Sequence, residues 1–187
     1  MPSFHIDTRL GSLPDIQKTF MWELKIPNIS GIITSIKDPE ELTIRCRSVQ
    51  IPSRGVDTHE SEFRGMKQKY AMKPKFSHTL PVLFEEFEDQ KMSKALYEWN
   101  NKIFDTDVKN TLTAGGSKAV MKRNIGGMGY ATDLYLYLYT YNKTKLEKSY
   151  RFYNAFPEDV SDVSLDYAGS DSVKYNVTFS FDYWTME

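Results

Sequence analysis

A strict alternation of side chains in the segment 131–143, ATDLYLYLYTYNK, limits local structure more than any other feature of the sequence. From position 134 to 141, leucine and then threonine occupy the even positions, and tyrosine occupies every odd one. Successive side chains of a β-strand point to opposite faces of a sheet, so the segment predicts a strand with two unlike faces. The aliphatic face belongs in a core. The tyrosine face needs a separate explanation.

The same period of two recurs elsewhere and favours a mainly antiparallel β fold. FMWELKI is the first such segment, and LTIRCRSV is expected to be a strand with Leu42, Ile44 and Cys46 on one face. The clearest case is SVKYNVTFSFDYW, which predicts one long amphipathic strand. The residues expected on its apolar face are Val173, Tyr175, Val177, Phe179, Phe181 and Tyr183.

One segment has helical periodicity instead. EDQKMSKALYEWNNKIF predicts a helix over about residues 88–104, because its apolar residues recur at helical spacing after an acidic start. Those residues are Met92, Ala95, Leu96, Trp99 and Ile103. A glycine-containing stretch over about 105–130 predicts a long loop. Together these elements predict two antiparallel sheets, forming a β-barrel or sandwich with one flanking helix.

The 187 residues suffice for one domain, which we place at 19–187 after an N-terminal arm at 1–18. The formal net charge is −1, whereas proteins that grip nucleic acid are usually basic. A single cysteine excludes an internal disulfide framework and fits a reducing compartment. We expect neither secretion nor a membrane span, since the sequence has no apolar signal segment and no apolar run of ~20 residues.

No group of residues predicts catalysis, a cofactor or a metal site. The histidines His5, His59 and His78 are far apart and have no ligand spacing, and Cys46 is expected to be a small core residue. The glycines at 126–129 precede a strand and do not open a helix, which is the wrong context for a phosphate loop. The acidic segment 158–171 is expected to be solvated surface, with metal binding as the alternative.

The basic tract RGMKQKYAMKPK, residues 64–75, includes Lys67 and Lys69. Lysines on an exposed strand commonly protect a sheet edge from wrong pairing. We expect that role, or contact with an acidic neighbour. Contact with a polyanion is the alternative.

Two interpretations of the tyrosine face remain open. In the first, the single helix covers it within one chain. In the second, it is buried only when copies assemble, since tyrosine suits interfaces by combining a large apolar area with a hydroxyl. Assembly into a closed ring would also satisfy exposed strand edges.

The C-terminal third, YRFYNAFPEDVSDVSLDYAGSDSVKYNVTFSFDYW, resembles the end of tail tube proteins from contractile-tailed bacteriophages. The residues that carry the resemblance are Phe156, Pro157, Leu165, Asp166, Tyr167, the stretch 177–181, Asp182, Tyr183 and Trp184. Earlier parts of the chain match the family in the same order along the sequence, namely FMWELKI, LTIRCRSVQIPSRG and the helix ending in LYEWNNKIF. The resemblance therefore spans about residues 19–184. The longer arm and the longer loop depart from the family pattern, so their contacts are not carried over.

The resemblance implies a structural virion protein, not an enzyme, made in the host cytoplasm and built into the phage tail. Copies would form hexameric rings that stack into a tube inside a contractile sheath, with DNA passing through without specific contacts. The implied partners are other copies of the chain, the tail sheath protein, baseplate or tube-initiator and tail-terminator proteins, and the tape measure protein during assembly.

Within that scheme, particular residues are expected to make contacts. Subunit contacts are expected at Tyr135, Tyr137, Tyr139, Lys67, Lys69, Asp182 and Trp184, with the lysines pairing with acids of a neighbouring subunit. Contacts between rings or with the sheath are expected in the arm and loop, at Phe4, Leu10, Leu13, Leu112 and Met121. The close alternatives are a tube-initiating or tail-terminating paralogue, or the tube of a non-phage injection system. A more distant alternative is a monomeric β-sandwich that binds sugars or single-stranded nucleic acid.

Overall fold

The computed structural model describes residues 19–103, 129–139, 146–163, 165–166 and 171–187. The strands are β1 Trp22–Lys25, β2 Cys46–Val49, β3 Arg54–Phe63, β4 Met66–Phe76, β5 Thr79–Glu85, β6 Thr132–Tyr139, β7 Leu146–Val160, β8 Lys174–Ser180 and β9 Tyr183–Met186. The helices are α1 Ile29–Ile32, α2 Pro39–Arg45 and α3 Lys91–Ile103. The expected arm and nearly all of the expected 105–130 loop lie outside the described residues.

The predicted architecture is confirmed: the chain is mainly β, and its described strands all pair antiparallel. A continuous path of pairing runs β1-β6-β7-β8-β5-β2, with β9 also on β7. We call β1, β6, β9 and the first part of β7 the first sheet, and β2, β5, β8 and the last part of β7 the second sheet. Among the described strands, β3 and β4 pair only with each other.

The core lies where the two sheets and α3 meet. Leu134, Leu136 and Phe152 of the first sheet share one buried cluster with Phe84 and Phe179 of the second. Helix α3 adds Met92, Ala95, Leu96 and Trp99, all buried at the spacing that predicted the helix. The Trp99 ring lies 5.7 Å from that of Phe179, and its Nε1 donates to the carbonyl of Tyr130 at 2.7 Å. The leucine face of β6 is therefore the core face, as predicted.

The strand expected over LTIRCRSV is wrong in its first half, since Pro39–Arg45 forms helix α2 and only Cys46–Val49 is a strand. The Asp38 side chain accepts a hydrogen bond from the Glu40 amide at 2.9 Å, and Pro39 stands at the first helical position. A side-chain cap, a proline and two acids in the first turn together favour a helix start. These local signals outweighed a short alternation of four residues.

The last predicted strand is interrupted at Phe181 and Asp182, where β8 ends and β9 begins. Both strands stay in register with β7, because Phe156 pairs with Ser180 and Tyr153 pairs with Tyr183. Phe181 is buried as expected. Tyr183, however, is exposed, so its expected place on the apolar face is wrong.

A bulge in β7 causes this change of face. Asn154 has a φ of 53°, and both Tyr153 and Asn154 lie opposite the single residue Asp133 of β6. An extra residue reverses the alternation of side chains beyond it. Phe152 and Ala155 therefore both point into the core, although three positions separate them.

Candidate assembly surfaces

The β3–β4 hairpin is the most exposed element of the described structure. Its strands have 10 and 11 residues, and every residue is exposed except Asp57 and Phe76, which are half-buried. The buried core cluster includes no residue from 54–76. Because an isolated two-stranded hairpin is only marginally stable in water, one this long indicates a surface that is completed by a partner.

The hairpin has two unlike faces along its outer part. The pairs His59–Tyr70, Ser61–Gln68 and Phe63–Met66 lie on one face, which we call the apolar hairpin face. Phe63, Met66 and Tyr70 on this face are 69%, 74% and 49% exposed. Large apolar side chains that are this exposed and adjacent mark interaction surfaces.

The opposite side, the charged hairpin face, carries the pairs Glu60–Lys69 and Glu62–Lys67. The Lys67 ammonium lies 3.3 Å from the Glu60 carboxylate, and that of Lys69 lies 3.9 Å from it. Both lysines thus have an acidic partner on their own hairpin. Their expected pairing with a neighbouring subunit stays a prediction.

The tyrosine face, formed by Tyr135, Tyr137 and Tyr139, lies on the side of β6 opposite the core. The rings of Tyr135 and Tyr137 are nearly parallel, with centroids 6.1 Å apart, and Tyr139 lies 6.5 Å from Tyr137. Helix α3 packs on the leucine side, so it does not cover these rings. All three are half-buried by their neighbours.

A hydroxyl contact anchors one end of the tyrosine face. The Tyr139 hydroxyl donates a 2.8 Å hydrogen bond to the carboxylate of Glu23 on β1. The pKa of Tyr139 is raised to about 12, mainly by burial and next by this hydrogen bond to Glu23. Tyr139 is therefore a neutral hydroxyl at physiological pH.

Sequence reasoning missed the residues that extend the tyrosine face onto β7 and β9. The Arg151 guanidinium lies 5.3 Å from the ring of Tyr135 and 4.4 Å from that of Tyr153, and it pairs with Asp133 at 2.6 Å. The Tyr153 ring in turn stacks on Tyr183 at 4.2 Å. The alternation in KSYRFY places Arg151 and Tyr153 on one face. Their neighbours, however, depend on strand register, which the sequence does not reveal.

Asp182 and Trp184, the other two expected contact residues, both have partners within the chain. The Asp182 carboxylate accepts a 2.8 Å hydrogen bond from the side-chain Nδ2 of Asn154, at the bend of β7. Trp184 turns toward the core, with its ring 5.7 Å from Tyr150 and 6.5 Å from Phe152. Trp184 therefore points away from the tyrosine face, whereas Asp182 adjoins its extension on β7 and β9, because the Asp182 backbone N–H donates to the Tyr153 carbonyl at 3.0 Å. Phe4, Leu10, Leu13, Leu112 and Met121 lie outside the described residues.

The described residues also show no concentration of reactive groups. Among them, no three histidine, cysteine or acidic side chains come close enough to hold a metal ion. Cys46 is buried, and that burial raises the pKa of its thiol to about 12. None of the described helices is both long and apolar enough to cross a membrane.

These features together define a class of protein: a two-sheet antiparallel β domain whose prominent surfaces suit contact with other protein. The chain belongs to the phage tail tube protein family, whose model matches residues 16–187. It is a tail tube-type structural protein, as the resemblance implied. A search of curated proteins found no match.

Solved structures share the fold at low sequence identity. The anti-feeding prophage cap, a tube-terminating cap, is 16% identical with a TM-score of 0.61, covering 94% of this chain and 93% of that one. The sheath/tube terminator of the extracellular contractile injection system PVC is 15% identical with a TM-score of 0.59, covering 94% and 99%. A chain of the PVC sheath-tube complex is 15% identical with a TM-score of 0.56, covering 97% of each.

Proposed function

We propose that copies of this chain assemble into hexameric rings, which stack into the inner tube of a contractile phage tail and conduct DNA into the host. The observation that carries the proposal is the β3–β4 hairpin, whose residues are nearly all exposed and lie outside the buried core of the described residues. Membership of the tail tube family supplies the setting. The tail sheath, baseplate or tube-initiator, tail-terminator and tape measure proteins are the partners we propose with it.

The apolar hairpin face is the contact that we assign to a neighbouring copy. Burying Phe63, Met66 and Tyr70 would remove a large apolar area from water, at roughly 25 cal/mol per Å². Open strand edges on β3 and β4 would gain hydrogen-bond partners in the same step. A closed ring would bury the apolar hairpin face and pair the strand edges at once, because every copy contacts its two neighbours in the same way.

The charged hairpin face is the side that we assign to the channel, with its lysines paired to Glu60 of their own hairpin in place of the expected acids of a neighbouring subunit. Glu60 and Glu62 balance Lys67 and Lys69 in number, and Glu60 contacts both lysines. Each lysine that met a DNA phosphate unpaired would add to binding and slow passage. A locally neutral surface lets DNA pass without being held.

Electron microscopy of the purified chain tests the proposal. We expect rings or tubes from the wild-type chain. We expect only monomers from a variant with Phe63→Glu and Met66→Glu, because charge on the apolar hairpin face would have to be buried. The matched control is Lys67→Gln with Lys69→Gln, on the other face of the same hairpin, which should still assemble.

Two results would contradict this scheme. Assembly by the glutamate variant would remove the apolar hairpin face from the interface. A wild-type chain that stays monomeric at high concentration, and binds sugar or single-stranded oligonucleotide, would support the binding-module alternative instead.

A tube-terminating or tube-initiating role is the second candidate. The two higher TM-scores, 0.61 and 0.59, belong to chains from structures of a tube-terminating cap and a sheath/tube terminator, against 0.56 for a chain of a sheath-tube complex. The same micrographs separate the two roles: a tube subunit gives long tubes, whereas a terminator gives single rings. The tube of a non-phage injection system stays a further alternative, which a DNA-containing particle would exclude.

A further inference from the structure

We propose that Tyr153 and Tyr183 form a site of oxidative modification, at which a one-electron oxidant couples the two rings into dityrosine within one chain. The rings are nearly parallel, with an interplanar angle of 16° and centroids 4.2 Å apart. They belong to directly paired residues of β7 and β9, and the backbone bond from Asp182 N to Tyr153 O, at 3.0 Å, adjoins them. The backbone thus holds the rings in contact.

Access and contact are both needed for coupling, and this pair has both. Tyr183 is 49% exposed, so an oxidant in solution reaches one ring directly. Tyr153, the half-buried ring of the pair, is held in place as well, since the Arg151 guanidinium lies 4.4 Å from its centroid. Coupling between two radicals that the backbone holds in contact is effectively unimolecular, so it is faster than coupling that requires two molecules to meet.

The chemistry balances without any group from the protein beyond the two phenols. Each tyrosine gives one electron to the oxidant and its phenolic proton to water, leaving two phenoxyl radicals. The radicals combine through one new carbon–carbon bond between ring positions ortho to the oxygens. Each ortho hydrogen then passes to its oxygen through solvent, which restores both aromatic rings. The product has lost two hydrogen atoms in total.

Other tyrosines provide an internal comparison. Tyr135 and Tyr137 are also nearly parallel, but their centroids are 6.1 Å apart, and Tyr137 and Tyr139 are 6.5 Å apart. Both pairs lie within the range of interacting aromatic rings, but their rings are farther apart than those of Tyr153 and Tyr183. Selective coupling of 153 with 183 would therefore follow from the geometry and not from tyrosine content, which is 12 in the whole chain.

The test is photo-oxidation of the full chain by a ruthenium tris-bipyridyl complex with persulfate, followed by proteolysis and mass spectrometry. The sample is an equal mixture of ¹⁵N-labelled and unlabelled protein, so coupling within a chain gives no hybrid peptides. We expect the linked peptide containing Tyr153 and Tyr183, lighter by two hydrogens, to be the main coupled product. Tyr183→Phe should abolish it, and the matched variant Tyr137→Phe should retain it.

Each remaining outcome overturns the proposal. Oxidation of the wild-type chain without the 153–183 peptide would show that the pair does not couple. Hybrid peptides at the frequency of random mixing would place the coupling between chains. Undiminished dityrosine fluorescence in Tyr183→Phe would assign the reaction to other tyrosines. Circular dichroism before oxidation checks that this variant, which lacks only one hydroxyl, is folded.

Discussion

Two glutamates show how single side chains complete this fold by accepting hydrogen bonds from backbone amides. The Glu98 carboxylate on α3 accepts from the amides of Thr34 and Ser35, at 2.6 and 3.1 Å. The Glu86 carboxylate accepts from the first-turn amides of α3, at Met92 and Ser93. Bonds from amides to a charged acceptor are stronger than neutral ones. Glu98 therefore holds the segment at Thr34 and Ser35, and Glu86 caps the first turn of α3.

Glu98 should make stability depend on pH. Burial raises the pKa of its carboxyl, but hydrogen bonds from Ser35 and Thr34 outweigh this and hold it below the ordinary 4.5. A depressed pKa contributes stability above the unfolded value and loses it as pH falls through the folded one. We expect Glu98→Gln to cost about 1 kcal/mol at neutral pH, allowing for partial exposure. Urea unfolding should show that difference shrinking below pH 4.5. Glu88→Gln, at an exposed position, is the control and should show neither effect.

Cys46 should be inert to thiol reagents in the folded protein. Its thiol is buried, and desolvation, only partly offset by Arg47, raises its pKa to about 12. The reactive thiolate is thus nearly absent at neutral pH, and the sulfur is also screened from reagent. We expect negligible labelling by a maleimide under native conditions and complete labelling in denaturant. Rapid native labelling would show that β2 opens locally.

The main organising element is β7, which belongs to both sheets and bends where it passes between them. The Asp133 carboxylate on β6 accepts from the backbone N–H of Asn154 at 3.1 Å, and the Asp182 carboxylate accepts from the Asn154 side-chain Nδ2 at 2.8 Å. Bulges are a common means by which a strand leaves one sheet for another. These bonds hold the bulge from both neighbouring strands, so that Phe152 and Ala155 both reach the core.

Substitutions at Asn154 should separate the roles of its backbone and side chain. Its φ of 53° is tolerated by asparagine and glycine but is costly for a β-branched residue. We expect Asn154→Val to destabilise by roughly 2 kcal/mol or more, adding backbone strain to the lost bond with Asp182. Asn154→Gly should cost only about 1 kcal/mol, since the backbone stays unstrained. If thermal unfolding showed the same loss of stability in Asn154→Val and Asn154→Gly, a β-branched side chain would not strain the backbone at this position.

Helix α2 is fixed to the start of α3 by Arg45, which is 4% exposed. Its guanidinium contacts Glu86 at 3.5 Å, pairs with Asp89 and lies 4.7 Å from the ring of Phe87. Of its two acidic partners only Glu86 is buried, and without Arg45 it would keep the bonds from Met92 and Ser93, so the charge would be only partly uncompensated. We expect Arg45→Ala to lose about 2 kcal/mol of stability in urea unfolding, as for a hydrogen bond to a charged group.

The adjacent arginine is a matched control for that substitution. Arg47 pairs with Glu85, but its side chain is 47% exposed. Exposed ion pairs contribute about 0–1 kcal/mol. A loss in Arg47→Ala as large as in Arg45→Ala would contradict the assigned role of burial.

For the whole molecule, features set by local periodicity were predictable, and features set by strand pairing were not. The leucine and tyrosine faces of β6 and the buried stripe of α3 follow from spacing alone, so both were predicted. The exposure of Tyr183 depends on a bulge in another strand, and the position of Arg151 depends on register across β6 and β7. Helix α2 is different, because its start signal, Asp38-Pro39, stands in the sequence, whereas the prediction of a strand rested on a short alternation alone.

The hairpin should be separable from the fold that carries it. Within the described part of the chain, β3 and β4 pair only with each other and add nothing to the buried core, so replacing residues 56–74 by an Asn-Gly turn should leave the two sheets intact. Gly55 and Lys75 are a directly paired couple, which gives the new turn matched ends. We expect the free energy of unfolding to change by less than about 1 kcal/mol, as the lost segment buries little area and a shorter loop favours folding. The same variant should fail to form rings or tubes, measured by light scattering beside urea unfolding. A large loss of stability in the monomer would mean that the hairpin supports its own chain, and the argument that it awaits a neighbour would fail.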